Sequence, residues 1–410
     1  MTLLNENTRN SNDFKKSFDL SLNNVESRKD LLTTISDGTV SRELGEAYTG
    51  DAVLLLKQAG VGKLRLPVIE GGFGYSLEDL FKFTIELGEA DPSVAQILRN
   101  HFAFVEAAMR TRGHPLFEFA LKAVQEGKLI GLAATETGIA DAGTMKSDTT
   151  LIEDGDNYLL TGRKFYSTGN MYCDFIQVYA SLEGKLVAAL VPSTRAGVSF
   201  EDDWDGFGQS RTASGSTVLD NVTVFSHEIF WPEDRVLLPF SATFPQMYLT
   251  SIVVGIMRNI ENDSVKVIKG RKRNFYHAVA KIPSDDPLLQ ETVGKISSAV
   301  YVAESAALRA GKALDEAFRS ALDGEIDVHA FTQAAKFVAK TKVVVDTLAL
   351  EAATSLFNVA GASATSRSAS LDRHWRNLRT LSSHNPISYK ARALGDNIIN
   401  NEPLPSAGFF

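Results

Sequence analysis

The stretch "GKLIGLAATETG", residues 127–138, is where the chain changes from a helical to a β pattern. From about residue 20 to Gly127, apolar residues recur at helical spacing, and Gly127 follows the last helical segment as a C-cap would. Within this part, Ser76 with Asp79 three residues later predicts a capping box. From about residue 129 to residue 230 the apolar runs are short, β-rich and separated by Gly, Asn and Asp turns. This spacing predicts a small β-sandwich or barrel.

The helical pattern returns after Pro239 and continues in long segments to about residue 359. Long amphipathic helices joined by short loops predict a bundle. The predicted fold class is therefore α+β, mostly α, with three domains: an N-terminal helical domain (1–128), a central β domain (129–235) and a C-terminal four-helix bundle (236–410). Some long helices are apolar on more than one face, so we expect a homo-oligomer in which the bundles pair.

Composition limits the classes of function. The 410 residues carry a net charge of -8, which argues against a general nucleic-acid binder. The single cysteine, Cys173, excludes an intramolecular disulfide and a zinc site of several thiolates, and it fits a reducing compartment. The N-terminus lacks the apolar core of a secretory signal, and no apolar run approaches the roughly 18 residues of a membrane span. We expect a cytoplasmic protein with no membrane or nucleic-acid partner and no metal site.

Three motifs stand out: "GLAATETG" at 131–138, "TGRKFYSTGN" at 161–170 and "RHWRNLRTLSSHNPISYK" at 373–390. Together with the order of helical, β and helical parts, they resemble the acyl-CoA dehydrogenase superfamily over essentially the whole chain. The third motif and "DDWDGFGQSRTASGS" at 202–216 are similar to the flavin-dependent monooxygenase branch of that superfamily, typified by dibenzothiophene monooxygenase and the sulfur-acquisition oxidoreductases. The resemblance implies the acyl-CoA dehydrogenase fold and a flavin site.

By the same resemblance, the first two motifs line the flavin ring. Thr135, Glu136 and Thr137 would offer backbone and hydroxyl groups to the pyrimidine edge, while Phe165 and Ser167 would pack and hydrogen-bond near the reactive nitrogen N5. An isoalloxazine ring needs an apolar face and a few fixed donors and acceptors, which such strands supply. Ordinary strand Thr and Ser residues with turn glycines are the alternative for either motif alone.

The dehydrogenases of this superfamily abstract a proton with a glutamate, and neither known position of that glutamate carries a carboxylate here. One position falls on Leu381 and Ser382, and the other lies in "FPQMYLTSIVVGIM", which contains no Asp or Glu. Loss of the base removes the dehydrogenase mechanism. The resemblance implies instead a two-component monooxygenase, in which reduced FMN and dioxygen form a C4a-hydroperoxide that oxygenates a small organic, possibly organosulfur, substrate.

This hypothesis implies a separate NAD(P)H-dependent flavin reductase, because the sequence has no Rossmann motif for the nicotinamide nucleotide. FMN follows from the resemblance, with FAD as the alternative. Two other functions stay open, a FAD-dependent acyl-CoA dehydrogenase with an unrecognised base and a catalytically silent flavin-fold binding protein.

Three residues are candidates for handling the peroxide and its proton. His384 comes first, because a histidine pKa near working pH suits proton supply. His101 lies on a helix that borders the flavin pocket in the resembling fold, with a core role as its alternative. Thr168 takes the place of a serine that hydrogen-bonds the hydroperoxide. Leu381 stands where the group often has a second histidine, and this departure bears on substrate range.

Two basic segments are candidates for binding the flavin phosphate. By the resemblance, Arg271 and Arg273, in "GRKRNFYHA" at 270–278, would reach the flavin phosphate of a neighbouring subunit, and a solvated basic helix end is the alternative. Arg373 and Arg376 would either bind that phosphate or pair with acidic neighbours. The resemblance also makes a homotetramer the expected assembly.

Overall fold

The N-terminal part of the computed structural model is helical, as predicted. The structure describes residues 22, 24–137, 147–322, 324–406 and 410, so Gly138 of the first motif lies outside the described residues. The capping box is confirmed, since Ser76 Oγ accepts from the Asp79 N–H at 3.0 Å and the Asp79 carboxylate accepts from the Ser76 N–H at 3.2 Å. The helices are α1 (Val25–Asp37), α2 (Thr39–Glu43), α3 (Thr49–Gln58), α4 (Leu77–Ala90), α5 (Pro92–Ile97), α6 (Arg99–Arg110) and α7 (Pro115–Gln125).

The central part forms one continuous mixed sheet, rather than the two sheets of a sandwich. The strands are β1 (Ile130–Ala133), β2 (Thr150–Asp154), β3 (Asn157–Lys164), β4 (Phe175–Leu182), β5 (Lys185–Pro192), β6 (Val198–Glu201), β7 (Ser216–Phe225) and β8 (Ile229–Phe230). Their order is β6-β7-β3-β2-β4-β5-β8, and β1 lies parallel to β4. Because β1 begins directly after α7, it joins the sheet to the N-terminal helices.

The C-terminal part is a helical bundle of three long and two shorter described helices. They are α8 (Thr243–Gly270), α9 (Pro287–Leu322), α10 (Val328–Ala360), α11 (Asp372–Ser383) and α12 (Ile387–Asn400). Pro386 separates the two shorter helices, because the residue before a proline is driven out of the helical region. The proposed domain boundaries, after residues 128 and 235, fall in connections between elements.

Close packing of α4 on α8 joins the N-terminal helices to the bundle. A Cβ atom at Gly255 of α8 would lie 2.3 Å from the backbone oxygen of Ile85, and one at Gly88 would lie 3.0 Å from Ile252 Cα. The two glycines therefore let the helix backbones approach more closely than any side chain would allow. The N-terminal helices and the bundle share one buried core.

Helix α10 is long and apolar enough to cross a membrane, judged by length and composition alone. It corrects the sequence expectation that no segment approaches a membrane span. The helix packs against α8, α9, α11 and α12, and it carries a buried ion pair between Lys342 and Asp346. These contacts are those of a core helix in a bundle.

Candidate active site

The first two motifs lie side by side, as the resemblance implies. The backbone N–H of Phe165, just after β3, donates to the Thr135 carbonyl oxygen at 2.8 Å and forms an isolated antiparallel bridge. Thr135 and Thr137 are exposed, and Phe165 is half-buried. The chain therefore presents backbone, hydroxyl and aromatic groups from both motifs on one edge.

The Glu136 side chain is committed to the protein itself. Its carboxylate pairs with the fully buried ammonium of Lys164 and accepts from the Thr149 hydroxyl at 2.7 Å and the Thr149 N–H at 3.0 Å. Burial acts to raise the pKa of Glu136, but the hydrogen bonds from Lys164, Thr149, Asp148 and Ser147 prevail and lower it to about 2. Only the backbone of Glu136 is left for the flavin contact that the sequence predicts.

A chain of buried hydroxyls connects the second motif to the loop before β7. Thr168 Oγ1 lies 2.8 Å from Ser214 Oγ, which lies 2.6 Å from Thr212 Oγ1. Thr212 Oγ1 in turn donates to the Gln209 carbonyl oxygen at 2.7 Å. This row of hydrogen-bonded hydroxyls fixes the position of the Thr168 hydroxyl. Sequence reasoning missed Thr212, Ser214 and Gln209, although it singled out the segment that holds them.

Two buried side chains beside this chain lack partners within the described part of the protein. Ser167 is 2% exposed, and its Oγ has no hydrogen-bond partner there. The amide oxygen and nitrogen of Gln209, which is also buried, are equally without a partner. A buried polar group without a partner costs free energy, so the site fits a polar ligand edge such as that of a flavin.

Aromatic side chains flank these polar groups. The Phe165 and Tyr166 ring centroids are 4.7 Å apart, and Tyr166 lies 5.9 Å from Trp204. The Tyr166 side chain is 54% exposed. Its backbone has a φ of 55°, in the left-handed region that few non-glycine residues adopt. Trp204 Nε1 donates to the Gln209 carbonyl oxygen at 3.1 Å, which ties the aromatic group to the hydroxyl chain.

His384 follows the last residue of α11 and faces the N-terminal helices. The residue is exposed, yet protein atoms surround its imidazole ring. Arg99 Nη1 lies 3.2 Å from His384 Nε2. Burial first, and then the positive charges of Arg99 and Lys342, lower the pKa of His384 to about 3. The expectation that its pKa lies near working pH is therefore wrong, and the imidazole is neutral.

His101 lies in the core, and backbone groups engage both of its ring nitrogens. Nε2 lies 2.9 Å from the Gly62 carbonyl oxygen, and Nδ1 accepts from the Ile130 N–H at 3.1 Å. Burial lowers the pKa of His101 to about 4, so the ring is neutral. This geometry favours the core role over the catalytic one, because His101 joins α6 to the start of β1.

The arginines of α11 have protein partners. Arg373 is buried and pairs with Asp263 at 2.6 Å, and His374 lies 2.8 Å from the same carboxylate. The expectation that Arg373 binds the flavin phosphate is corrected by this buried ion pair. Arg376 pairs with Asp372 at 2.8 Å, which is the alternative that the sequence analysis left open, and also donates to the Phe207 carbonyl oxygen.

Arg271 and Arg273 lie just after α8. The Arg271 guanidinium donates to the Val359 carbonyl oxygen at 2.9 Å, whereas Arg273 is exposed. Their contact with the flavin phosphate of a neighbouring subunit stays a prediction.

Comparison with known families identifies the fold. Residues 131–222 match the acyl-CoA dehydrogenase middle domain, and residues 247–389 match the acyl-CoA dehydrogenase C-terminal domain. The chain belongs to the acyl-CoA dehydrogenase superfamily.

Individual relatives of this superfamily member fall in its flavin monooxygenase branch. The probable FMNH2-dependent monooxygenase SfnC of Pseudomonas putida is 28% identical over 364 residues, which cover 86% of this chain and 88% of that protein. Dibenzothiophene monooxygenase of Mycolicibacterium goodii is 27% identical over 375 residues, with 85% and 87% covered. The crystal structure of FMN-bound TdsC from Paenibacillus sp. A11-2 superimposes with a TM-score of 0.83 at 25% identity and covers 93% of this chain and 98% of that one.

The two places where the sequence analysis expected the base of a dehydrogenase lie in the C-terminal helices. Leu381 and Ser382 are buried on α11, and residues 244–257 lie in α8. Neither position holds a carboxylate. Within the described ranges, no group of three or more His, Cys, Asp or Glu side chains could hold a metal ion.

Proposed function

We propose that the protein is a two-component monooxygenase that uses reduced FMN and dioxygen to oxygenate a small organic, possibly organosulfur, substrate. The observation that carries the proposal is the buried hydroxyl chain that ends at Thr168, beside Ser167 Oγ, which has no partner among the described residues. Neither expected dehydrogenase position holds a carboxylate. The names of the relatives SfnC and dibenzothiophene monooxygenase support the same reaction class.

The residues of the chain would bind and orient the reactants. Ser167 and Gln209 offer hydrogen bonds to the flavin edge, because both side chains are buried and lack partners within the described residues. Because Thr212 donates to Gln209, Ser214 donates to Thr212 and Thr168 donates to Ser214. The Thr168 oxygen would then accept a hydrogen bond from an O–H group formed next to the ring. Bound reduced flavin supplies the electrons that activate dioxygen.

We assign His384 to orienting a proton rather than to supplying one as an imidazolium. Arg99 is a donor only, so the 3.2 Å contact makes His384 Nε2 the acceptor and leaves the ring proton on Nδ1. A neutral imidazole can donate that Nδ1–H to an oxygen atom without changing its own charge. The low pKa keeps this form present throughout the physiological pH range.

The assembly and the partners follow from the same proposal. A separate NAD(P)H-dependent reductase would supply reduced FMN, and the cytoplasm would be the location. The segment after α8 exposes four large apolar side chains that a neighbouring subunit could cover, and a homotetramer is the assembly that we propose: Phe275, Tyr276, Val279 and Ile282.

Stopped-flow absorbance tests the function. The protein is mixed anaerobically with reduced FMN and then with oxygenated buffer, as wild type, His384→Ala and the control His227→Ala, whose exposed ring stacks on Phe225. We expect a transient band that depends on the protein, with a lifetime changed at least several-fold in His384→Ala and unchanged in the control.

Immediate reoxidation without a transient would contradict the proposal. The next step would then be to measure FAD and acyl-CoA binding, which separates a dehydrogenase from a silent flavin-fold protein. A transient with the same lifetime in all three proteins would retain the oxygenase and reject the role of His384.

A further inference from the structure

The hydroxyl chain of Thr168, Ser214 and Thr212 has a direction that its far end imposes. The Gln209 carbonyl oxygen can only accept a hydrogen bond, so the Thr212 hydroxyl donates to it at 2.7 Å. Each hydroxyl has one proton, so Ser214 donates to Thr212 at 2.6 Å and Thr168 donates to Ser214 at 2.8 Å. The Thr168 oxygen keeps only lone pairs for a ligand and is therefore an acceptor.

Hydrogen bonds hold the far end of the hydroxyl chain in place. The Gln209 N–H donates to the Asn377 side-chain oxygen at 2.6 Å, and Trp204 Nε1 donates to the Gln209 carbonyl oxygen at 3.1 Å. Asn377 is only 1% exposed, and its amide nitrogen donates to Glu43 at 2.7 Å. These contacts fix the Gln209 carbonyl oxygen towards Thr212, so the direction of the hydroxyl chain is part of the fold.

The two loops that carry the hydroxyls are joined through their backbones. The Ser167 N–H donates to the Gly215 carbonyl oxygen at 3.1 Å, and the Gly169 N–H donates to the Thr212 carbonyl oxygen at 2.9 Å. The residues of the hydroxyl chain are at most 5% exposed. Because water has little access to them, it does not compete for their protons, and the hydroxyl chain keeps its direction.

Reduction changes the hydrogen-bonding character of one atom on the reactive edge of a flavin. The nitrogen N5 is an acceptor in the oxidised ring, whereas in the reduced ring it carries a proton and is a donor. A hydroxyl oxygen that can only accept pairs with the reduced form. Against the oxidised form, it places a lone pair opposite a lone pair.

We propose that Thr212 and Ser214 are positioning residues that make the site bind reduced FMN in preference to oxidised FMN, because they hold Thr168 as an acceptor towards N5. The inference rests on the proposed function for the flavin itself. It goes further by assigning the choice between two oxidation states to residues one and two hydrogen bonds behind Thr168. Such a site takes up FMN that a separate enzyme has reduced and releases it once it is oxidised.

Binding of both forms of FMN to the full-length protein tests the proposal. Calorimetry gives the dissociation constant of oxidised FMN, and an anaerobic redox titration gives the two-electron potential of FMN with and without saturating protein. We expect the wild type to bind reduced FMN about tenfold more tightly, which is the effect of one hydrogen bond. This preference raises the potential of the bound flavin by about 30 mV.

Three variants test the direction of the hydroxyl chain. In Thr212→Val, Ser214 can turn its proton to Thr168, and Thr168 can then donate to oxidised N5. The preference for reduced FMN should disappear or reverse, and Ser214→Ala should act in the same way because Thr168 loses its acceptor. Thr212→Ser keeps the hydroxyl and should keep the preference. The Gln209 oxygen keeps Trp204 as a donor in all three variants, so no buried carbonyl loses its last partner.

Thr84→Val is the matched control for packing. Thr84 is as fully buried as Thr212, and its hydroxyl also donates to a backbone carbonyl oxygen, that of Leu80 at 2.8 Å within α4. The variant removes one buried hydroxyl without touching the hydroxyl chain. It should show the same potential shift as the wild type.

Equal binding of the two forms by the wild type, or a preference that Thr212→Val and Ser214→Ala leave unchanged, would overturn the proposal. Loss of the preference in Thr212→Ser or in the Thr84→Val control would overturn it as well, because the effect would then follow packing and not the direction of the hydroxyls. Equal binding accompanied by a flavin transient would reject this inference alone. No binding of either form would reject the proposed function together with it.

Discussion

Replacement of His101 by Leu should lower the stability of the fold, and the size of that loss should depend on pH. The substitution leaves the Ile130 N–H and the Gly62 carbonyl without their buried partner. At about 1–3 kcal/mol for each of the two unsatisfied buried groups, the free energy of unfolding should fall by about 2–6 kcal/mol at pH 8. If His101 acted in catalysis instead, the flavin transient would change while stability did not.

The pH dependence of this effect has a definite sign. Burial lowers the pKa of His101 from 6.5 to about 4, so the unfolded chain binds a proton more readily than the folded one. The stability of the wild type is therefore lost as pH falls from about 6.5 towards 4. Between pH 8 and pH 5 this one group accounts for about 2 kcal/mol, from about 1.4 kcal/mol per pKa unit.

The leucine variant lacks that proton-binding group. Urea unfolding followed by tryptophan fluorescence at pH 8 and pH 5 should show the gap between wild type and variant narrowing by about 2 kcal/mol at the lower pH. Burial and the charge of Arg373 also lower the pKa of His374 to about 4. Because His374 is present in both proteins, its contribution to the pH dependence is the same in each and drops out of the difference. A gap of the same size at both pH values, or no gap at all, would refute the reasoning.

Two further predictions concern packing. Lys164→Met leaves the Glu136 carboxylate without its buried cation and should lower the free energy of unfolding by about 3–5 kcal/mol in urea unfolding. The double variant Lys164→Met/Glu136→Leu should recover most of that loss. A double variant as unstable as the single one would contradict this prediction. Gly255→Ala places a Cβ 2.3 Å from the Ile85 carbonyl oxygen and should cost about 1–3 kcal/mol, while Gly270→Ala, with open space around it, should unfold with the wild type in the same thermal scan. Equal melting of both glycine variants would argue against close packing of α4 on α8.

Local features of the fold were predictable from the sequence. The capping box of α4 depends on residues three positions apart, and the change to short β runs at Gly127 marks the start of the sheet. The resemblance implied that the first two motifs line one flavin ring, and the bridge between Thr135 and Phe165 brings them together. These features need either neighbouring residues or a known fold.

Contacts between distant residues could not be predicted in this way. Asp263 lies 110 positions from Arg373, and Arg99 lies 285 positions from His384. Nothing in the local pattern of α11 indicates that Arg373 faces a buried carboxylate on α8 while Arg376 pairs within its own helix. The low pKa of His384 likewise depends on burial and on charges from two other helices, so the ordinary pKa of histidine misled the sequence-based assignment.

The electrostatics of the site distinguish the two reaction classes of the superfamily. Proton abstraction from carbon needs a base that takes up the proton, and nearby cations oppose the protonation of that base. Burial first, and then the charges of Arg99 and Lys342, lower the pKa of His384, and neither Ser382 nor the segment 244–257 offers a carboxylate base. A positive field stabilises an oxygen atom that gains electron density as its bond breaks. The charge distribution therefore favours oxygen transfer over proton abstraction from a thioester.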